Sequence, residues 1–106
     1  MKVIRAVLLF MVMQAGHAGA ADVAPELWDR PRSAQTVMAQ PAVRQAVLGL
    51  QSRSDARLWI VHGPRQDALL QAEELRAWLV ALAVEGARVR LRADPTATTI
   101  RLEITD

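Results

Sequence analysis

Two stretches near the carboxyl end of the chain alternate between apolar and polar residues, and this alternation constrains the fold more than any other feature. Residues 87–92 place an arginine at every second position, and residues 99–105 place an apolar residue at every second position. Because successive side chains point to opposite faces of a strand, each stretch predicts a strand with one buried and one solvated face. The intervening residues 93–98 are compatible with an antiparallel pair joined by a loop.

Two further elements lie upstream of this pair. The run Arg57–His62 is rich in β-branched and aromatic residues and is apolar on both faces, which predicts a central strand buried on two sides. Residues 41–50 repeat apolar positions at helical spacing, and Pro41 suits the first position of a helix. Residues 35–38 predict a short additional strand before this helix.

The longest amphipathic pattern lies between the central strand and the alternating pair. Residues 68–85 place apolar side chains on one helical face, with Asp67 as the N-cap and Gly86 as the terminator. The predicted order is therefore β-α-β-α-β-β. This order predicts a single α/β (α+β) domain over residues 35–106, a two-layer sandwich in which two helices pack on one face of a small mixed sheet.

The first twenty residues have the layout of a secretory signal peptide. Lys2 and Arg5 form a basic start, residues 3–13 are otherwise apolar, and residues 18–20 are all small. The apolar core is shorter than the about 20 residues that a membrane span needs. We therefore expect cleavage after Ala20 and a periplasmic protein with no stable membrane span. An uncleaved anchor is the alternative.

Charge and cysteine content exclude several classes of function. The 106-residue chain has a formal net charge of +2, but Lys2 and Arg5 belong to the predicted leader, and the remainder carries 11 basic and 11 acidic side chains. A neutral chain has no general attraction for phosphate backbones, so we expect no nucleic-acid partner. The absence of cysteine excludes disulfides, thiolate metal sites and a cysteine nucleophile.

The chain beyond the predicted leader carries few groups suited to catalysis. His62 is its single histidine, which makes neither a metal site nor a catalytic triad. Glu73 and Glu74 are adjacent on the predicted helix and so lie about 100° apart around its axis, too far to converge on one substrate. The sequence contains no glycine-rich phosphate loop. We therefore predict a protein that is not an enzyme and that holds neither a cofactor nor a metal.

Residues 21–34 carry two prolines and mixed charges with no strand or helix period, which indicates an extended arm. Trp28 on this arm has two interpretations. It could anchor a partner protein, because tryptophan is favoured at the centres of protein interfaces. Alternatively, Leu27 and Trp28 fold back and cover the core of a small domain.

Pairing of the two alternating stretches would gather arginines on one sheet face. Arg88, Arg90, Arg92 and Arg101 would share this face with Glu103. As a functional surface, it would bind an anionic polymer, a wall peptide or an acidic partner protein. As a structural surface, it would be the solvated side of an antiparallel sheet, where arginine stems cover apolar atoms and charges discourage edge aggregation.

Three segments carry a resemblance to a known family. Residues 41–50 match a helix that begins near a proline, residues 58–63 match a strand that ends in a glycine–histidine signature, and residues 75–80 match a helix in which an arginine precedes an alanine. On these segments, the stretch 37–94 resembles the OmpA-like C-terminal domain, the periplasmic module that binds peptidoglycan. The resemblance implies an α/β fold and residence in the cell envelope.

The resemblance also implies ligand-binding residues. In the family, an aspartate after the glycine–histidine pair and the helix arginine hold the diaminopimelate carboxylates of the wall peptide. Arg76 matches that arginine, Asp67 is the nearest substitute for the aspartate, and His62 belongs to the signature, here in reversed order with Gly63. Residues 64–65, a proline and an arginine, stand where the family has its aspartate.

Two functions follow as hypotheses. In the first, an exported, non-enzymatic protein with an OmpA-like fold binds a peptidoglycan peptide, with Arg76 pairing a carboxylate, or binds an envelope protein. In the second, a periplasmic accessory or inhibitor protein docks on a larger envelope complex through Trp28 or the arginine-bearing sheet face. The sequence leaves the partner and the oligomeric state open.

Overall fold

The computed structural model of the protein describes residues 19–106, so the predicted leader lies outside the described residues except for its last two positions. Four strands and three α-helices form the described part. The strands are β1 (Gly19–Asp22), β2 (Arg57–His62), β3 (Val89–Ala93) and β4 (Arg101–Thr105), and the helices are α1 (Ala34–Met38), α2 (Pro41–Ser52) and α3 (Gln66–Ala81). Short 3-10 turns occupy Pro25–Asp29 and Gly86–Arg88.

The four strands form one mixed sheet in the order β1-β4-β2-β3. β2 and β3 are parallel, whereas β4 is antiparallel to both of its neighbours, β1 and β2. The helices pack on one face of this sheet, because the buried residues of α2 and α3 join the same core cluster as the inward residues of β2 and β4. The predicted two-layer α+β sandwich with a mixed sheet is confirmed.

The core lies between the sheet and the helices. Leu58 and Ile60 on β2 are completely buried at its centre. Above them, α3 contributes Leu75 and Leu79 at helical spacing, and α2 contributes Val43, each of them fully buried. Each such side chain stabilises the fold by about 2 kcal/mol, because it is removed from water. The inward residues of the strands and the apolar faces of α2 and α3 therefore form one apolar layer.

The first strand of the sandwich does not lie where the sequence pattern predicts it. Residues 35–38 are helical and belong to α1, which Ser33 caps: its Oγ accepts from the backbone N–H of Thr36 at 3.1 Å, and the Thr36 hydroxyl accepts from the N–H of Ser33 at 2.8 Å. This reciprocal capping box favours a helical turn over a strand. The first strand is β1 instead, and the predicted boundary at Ala20 falls inside it.

The segment 21–34 is not an extended arm. It begins in β1, continues into the 3-10 turn Pro25–Asp29 and ends at α1. Val23 and Leu27 are buried, and Trp28 packs against the core cluster. The structure follows the interpretation in which Leu27 and Trp28 fold back, because burial of these apolar side chains outweighs the freedom of a loose segment.

The two alternating stretches form β3 and β4, but these strands are not neighbours. β2 lies between them, so the predicted antiparallel pair is wrong. The reason is that α3 crosses over the sheet and returns the chain parallel to β2, and residues 94–100 then carry it to the opposite edge of β2. The period of two belongs to each strand alone, so it does not identify the neighbouring strand.

The bounds of α3 also differ from the predicted 68–85. The helix begins at Gln66, so Asp67 lies in its first turn and is not its N-cap. The helix ends at Ala81, and Ala83 adopts a left-handed conformation with φ of 76°. The N–H of Val84 donates to the carbonyl oxygen of Leu79 at 3.0 Å, which closes a Schellman turn. A left-handed alanine, and not the predicted glycine, ends the helix.

Candidate functional site

Arg76 connects the carboxyl-terminal half of α3 to the start of β3. Its Nε donates to the carbonyl oxygen of Val89 at 3.1 Å, and its Nη2 donates to the carbonyl oxygen of Gly86 at 2.8 Å. The side chain is partly buried. With two of its five N–H groups bonded to these carbonyls, the Arg76 side chain is directed towards the connection between α3 and β3 and stabilises it.

His62 and Asp67 lie near the carboxyl end of β2. His62 is 7% exposed, and its Nδ1 lies 2.8 Å from the carbonyl oxygen of Gly63. Since a carbonyl oxygen only accepts, this contact places a proton on Nδ1. Asp67 is exposed, and its Oδ1 accepts from the backbone N–H of Ala68 at 2.9 Å and from Arg65 Nε at 3.2 Å. Both side chains make local contacts.

The structure does not bring these three residues together. Asp67 and Arg76 lie nine positions apart on α3, which is about 13 Å along a helix axis. Arg76 contacts the start of β3, whereas Asp67 lies at the other end of the helix, where the chain has just left β2. The carboxylate-binding arrangement implied by the resemblance is therefore not assembled here.

Trp28 belongs to a cluster with Trp78 and an ion pair. Arg32 Nε and Nη2 donate to the two carboxylate oxygens of Glu74 at 2.8 and 2.9 Å, and the Arg32 guanidinium lies 5.4 Å from the centre of the Trp28 ring. Trp78 Nε1 donates to Glu74 at 3.0 Å. The hydrogen bonds from Arg32, supported by that from Trp78, hold the pKa of Glu74 below its ordinary value. Trp28 is thus engaged within the protein.

Arg88 does not join the predicted arginine face. Its Nε donates to the carbonyl oxygen of Ala56 at 3.0 Å, and its Nη2 donates to those of Leu50 and Arg53 at 2.9 and 2.6 Å. The side chain is 16% exposed. The last carbonyls of a helix have no partners within it, so the guanidinium of Arg88 satisfies the carboxyl end of α2 and the turn after it. Arg88 is a structural residue.

The sheet face turned away from the helices, which we call the outer face, carries the remaining predicted arginines. The strand register assigns its members: Arg57, Trp59 and Val61 on β2, Arg90 and Arg92 on β3, and Arg101, Glu103 and Thr105 on β4. Trp59 is half-buried at the centre of this set, opposite Glu103 on one side and Arg90 on the other.

Two of these arginines are neutralised by neighbouring carboxylates. Arg92 hydrogen-bonds to Glu103 across β2, and its guanidinium lies 5.3 Å from the centre of the Trp59 ring. Arg101 donates to Glu103 at 2.8 Å and to Asp94 at 3.4 Å. The hydrogen bonds, first from Arg101 and then from Arg92, keep the pKa of Glu103 below its ordinary value. This network fixes the side chains around Trp59.

Arg57 and Arg90 are the unneutralised charges of the outer face. Both are exposed, and within residues 19–106 neither forms an ion pair or a side-chain hydrogen bond. Arg90 is the register neighbour of Trp59, and Arg57 precedes Trp59 by two positions on β2. An aromatic side chain with two exposed arginines as neighbours can contact a surface that combines carboxylates with apolar atoms.

An open groove of about 300 Å³ lies at the other edge of the sheet, between α2 and the β1–β4 pair. Its walls are formed mostly by residues with small side chains, namely Gly19, Ala20, Ala21, Ala42, Ala46 and Gly49. Arg53 at its rim is paired with Asp106 at 2.7 Å. The groove is mainly apolar and presents backbone and methyl groups.

Comparison with family models, curated proteins and solved structures finds no match for this chain. Across residues 19–106, no helix combines the length and the apolar character needed to cross a membrane. In the same stretch, no group of three His, Cys, Asp or Glu side chains is placed to hold a metal ion. The chemistry that the outer face offers is ion pairing and aromatic contact.

Two features of this geometry were missed from the sequence. Trp59 was assigned to a strand buried on both sides, although it shares the parity of Arg57 and faces outwards; this parity was the available signal. The pair of Arg32 and Glu74 carries no signal of its own, because 42 positions separate the two residues.

Proposed function

We propose that this protein is an exported, non-enzymatic binding protein of the cell envelope, which docks on an acidic surface of a partner protein through its outer face. The observation that carries the proposal is the placement of Arg57 and Arg90 next to Trp59, Arg57 along β2 and Arg90 on the adjacent β3, both exposed and without carboxylate partners in the described part of the chain. Unpaired cations beside an aromatic side chain are the groups that dominate such interfaces.

Two sets of residues on the outer face have different roles in the proposed binding. Arg92 and Arg101 are held by Glu103 and Asp94, so they frame Trp59 in a fixed geometry. Arg57 and Arg90 carry the charge that attracts a partner's carboxylates, which raises the association rate and sets the orientation. Because the chain without its predicted leader is neutral, this attraction is local and favours an acidic protein patch over a long polyanion.

The geometry supports peptidoglycan binding less well. In a wall-binding site, Arg76 would offer its guanidinium to a ligand carboxylate, but here it donates to the carbonyls of Gly86 and Val89. Asp67 lies at the other end of α3 and pairs with Arg65. These contacts leave neither Arg76 nor Asp67 placed as a wall-binding site would need them.

Site-specific photo-crosslinking in the cells that make the protein tests the proposal. A photoreactive amino acid at position 90 should give a defined crosslinked product with an envelope protein, whereas the same group at the exposed position 44 on α2 should not. The double substitution Arg57→Glu with Arg90→Glu should abolish the product. The control pair Arg30→Glu with Arg65→Glu changes the net charge by the same amount, and the crosslinked product should still form.

Sedimentation with purified peptidoglycan distinguishes the alternative. The protein should stay in the supernatant at physiological salt. Three results together would contradict our proposal and support wall binding. The protein would pellet with peptidoglycan, and it would still pellet after charge reversal at positions 57 and 90. The variant Arg76→Lys, with its fold intact by circular dichroism, would stay in the supernatant.

A further inference from the structure

β3 is an edge strand, because β2 is its one strand neighbour within the described sheet. The N–H of Asp94 donates to the carbonyl oxygen of His62 at 2.8 Å, so the backbone groups of Asp94 point towards β2. The hydrogen-bonding direction alternates from one residue to the next along a strand. The odd-numbered residues of β3 therefore direct their N–H and C=O groups away from β2, namely Val89, Leu91 and Ala93.

The first of these outward residues is satisfied within the molecule, and the next two are open. The N–H of Val89 donates to the carbonyl oxygen of Gly86, and the carbonyl oxygen of Val89 accepts from Arg76 Nε at 3.1 Å. In the described part of the chain, the outward N–H and C=O groups of Leu91 and Ala93 have no hydrogen-bond partner. These four groups, which we call the β3 edge, form the pattern to which an extended chain adds as a further strand.

The two sides of the β3 edge differ in character. On the outer face, Arg90 is exposed and has no ion pair among the residues that the structure describes. On the other side, Arg76 reaches the carbonyl oxygen of Val89, so the flank of α3 that carries Arg76 lies over the edge. Leu69 and Val80 share this flank, seven positions before and four positions after Arg76. An added strand would therefore meet a guanidinium group on one side and apolar side chains on the other.

The charges decide which chain fits the β3 edge. Pairing of β3 with the β3 of a second copy would place Arg90 and Arg92 beside their counterparts on the outer face, and like charges on adjacent strands destabilise a sheet. Glu73 is exposed on the α3 flank and disfavours acidic side chains on that side. The occupant that fits is an extended segment with acidic side chains beside Arg90 and apolar side chains towards α3.

We propose that the partner protein binds by adding a strand to the β3 edge, and that this strand alternates acidic and apolar residues. The inference rests on the proposed function, because it specifies how the acidic partner meets the outer face. The segment exchanges backbone hydrogen bonds with Leu91 and Ala93, which supply affinity. Successive side chains of the segment point to opposite faces, so one set pairs with Arg90 and the other packs against Leu69 on α3.

Amide hydrogen exchange followed by NMR tests the pairing in the unaltered chain. In the protein alone, β2 should protect the N–H groups of Arg90 and Arg92, whereas those of Leu91 and Ala93 should exchange rapidly. A short synthetic peptide in which glutamate alternates with valine, added in large excess, should protect Leu91 and Ala93. A peptide of the same composition with its glutamates and valines in two blocks should not. Unprotected Leu91 and Ala93 with the alternating peptide, or protection in the protein alone, would overturn the inference.

Ala93→Pro removes one donor of the β3 edge and leaves the ladder to β2 intact, because the N–H of Ala93 points away from β2. The substitution should weaken binding of the alternating peptide by about tenfold. Ala93→Ser, which keeps the donor at the same exposed position, should bind as the wild type does. Circular dichroism checks the fold of both variants. Equal affinities would contradict strand addition, and the exchange measurement does not depend on how this variant folds.

Crosslinking in cells separates this inference from the proposed function. With the photoreactive group at position 90, Ala93→Pro should abolish the crosslinked product, and Ala93→Ser should retain it. A product that persists in Ala93→Pro would overturn strand addition while leaving docking through the outer face intact. Absence of a product from the chain without these substitutions would overturn the proposed function itself.

Discussion

Arg32 and Glu74 form a two-point ion pair that ties the amino-terminal segment to α3 across 42 positions of sequence. The Trp28 ring stacks near the guanidinium, and Trp78 donates to the carboxylate, so two aromatic side chains flank the pair. This contact explains why the segment before α1 is part of the domain. It also contributes to the pH dependence of the domain's stability.

Glu74→Gln should make the protein less stable at neutral pH and less sensitive to acid. The pKa of Glu74 is lower in the folded state than in the unfolded state, so its ionised form stabilises the fold. This contribution to the free energy of unfolding is fully present above the ordinary pKa of 4.5 and is lost as the pH falls through the lower folded-state value. Urea denaturation at a series of pH values measures this as a gap between wild type and variant that closes in acid. Glu73→Gln, at the exposed neighbouring position, is the control; an identical gap for both variants would contradict the role of the pair.

Arg88→Ala and Arg90→Ala should differ strongly, although the sequence pattern places both residues on one face. Arg88→Ala leaves carbonyl oxygens at the end of α2 without their donor and should lower the free energy of unfolding by about 2 kcal/mol. Arg90→Ala removes an exposed side chain and should change it by less than about 0.5 kcal/mol. Chemical denaturation compares the two. Equal effects would show that Arg88 does not support α2.

Ala83→Gly should stabilise the protein. Ala83 holds a φ of 76°, where an alanine side chain is strained and glycine is not, so the substitution should gain about 0.5–1 kcal/mol. The same change at Ala81, within α3, should cost a similar amount, because glycine there only adds freedom to the unfolded chain. Thermal melting of both variants provides the measurement. A loss of stability in Ala83→Gly would refute the proposed helix end.

Gly63→Ala should destabilise the protein by about 1–3 kcal/mol, because a Cβ atom there would lie 2.6 Å from the carbonyl oxygen of Ala97. Ser54→Ala, at an exposed position in the turn after α2, is the control and should change the stability by less than about 0.5 kcal/mol. Melting temperatures of the two variants decide the question. A tolerated Gly63→Ala would mean that the loop over this position is not packed as described.

The sequence predicted the elements that bury a periodic face and missed those held by single contacts. β2, α2, α3 and the last two strands were found because their apolar positions repeat at the spacing of their secondary structure. α1 was taken for a strand because four residues are too few to show a period, and its helical state depends on the bonds between Ser33 and Thr36. β1 was missed because small residues carry little strand preference.

The candidate site was predictable only in part. The sequence of one strand shows which of its residues share a face, but tertiary structure decides which strands lie side by side. The alternation correctly placed Arg90, Arg92 and Arg101 on one face. It could not show that Arg88 turns towards the carbonyls of α2, nor that β2 would insert Trp59 between the two alternating strands. Strand order depends on the path of the connections, and the period of a strand does not record it.

The position of β4 between β1 and β2 has a consequence for the order in which the molecule can fold. The last described strand is an interior strand of the sheet, and within residues 19–106 it is the one strand neighbour of β1. A chain that still lacks residues 101–105 can form the unit of β2, α3 and β3. In such a chain β1 has no strand to pair with, because its partner β4 is missing. Closure of the sheet is thus delayed until residues 101–105 are available to pair, which makes the contacts of β1 the latest of the sheet to form.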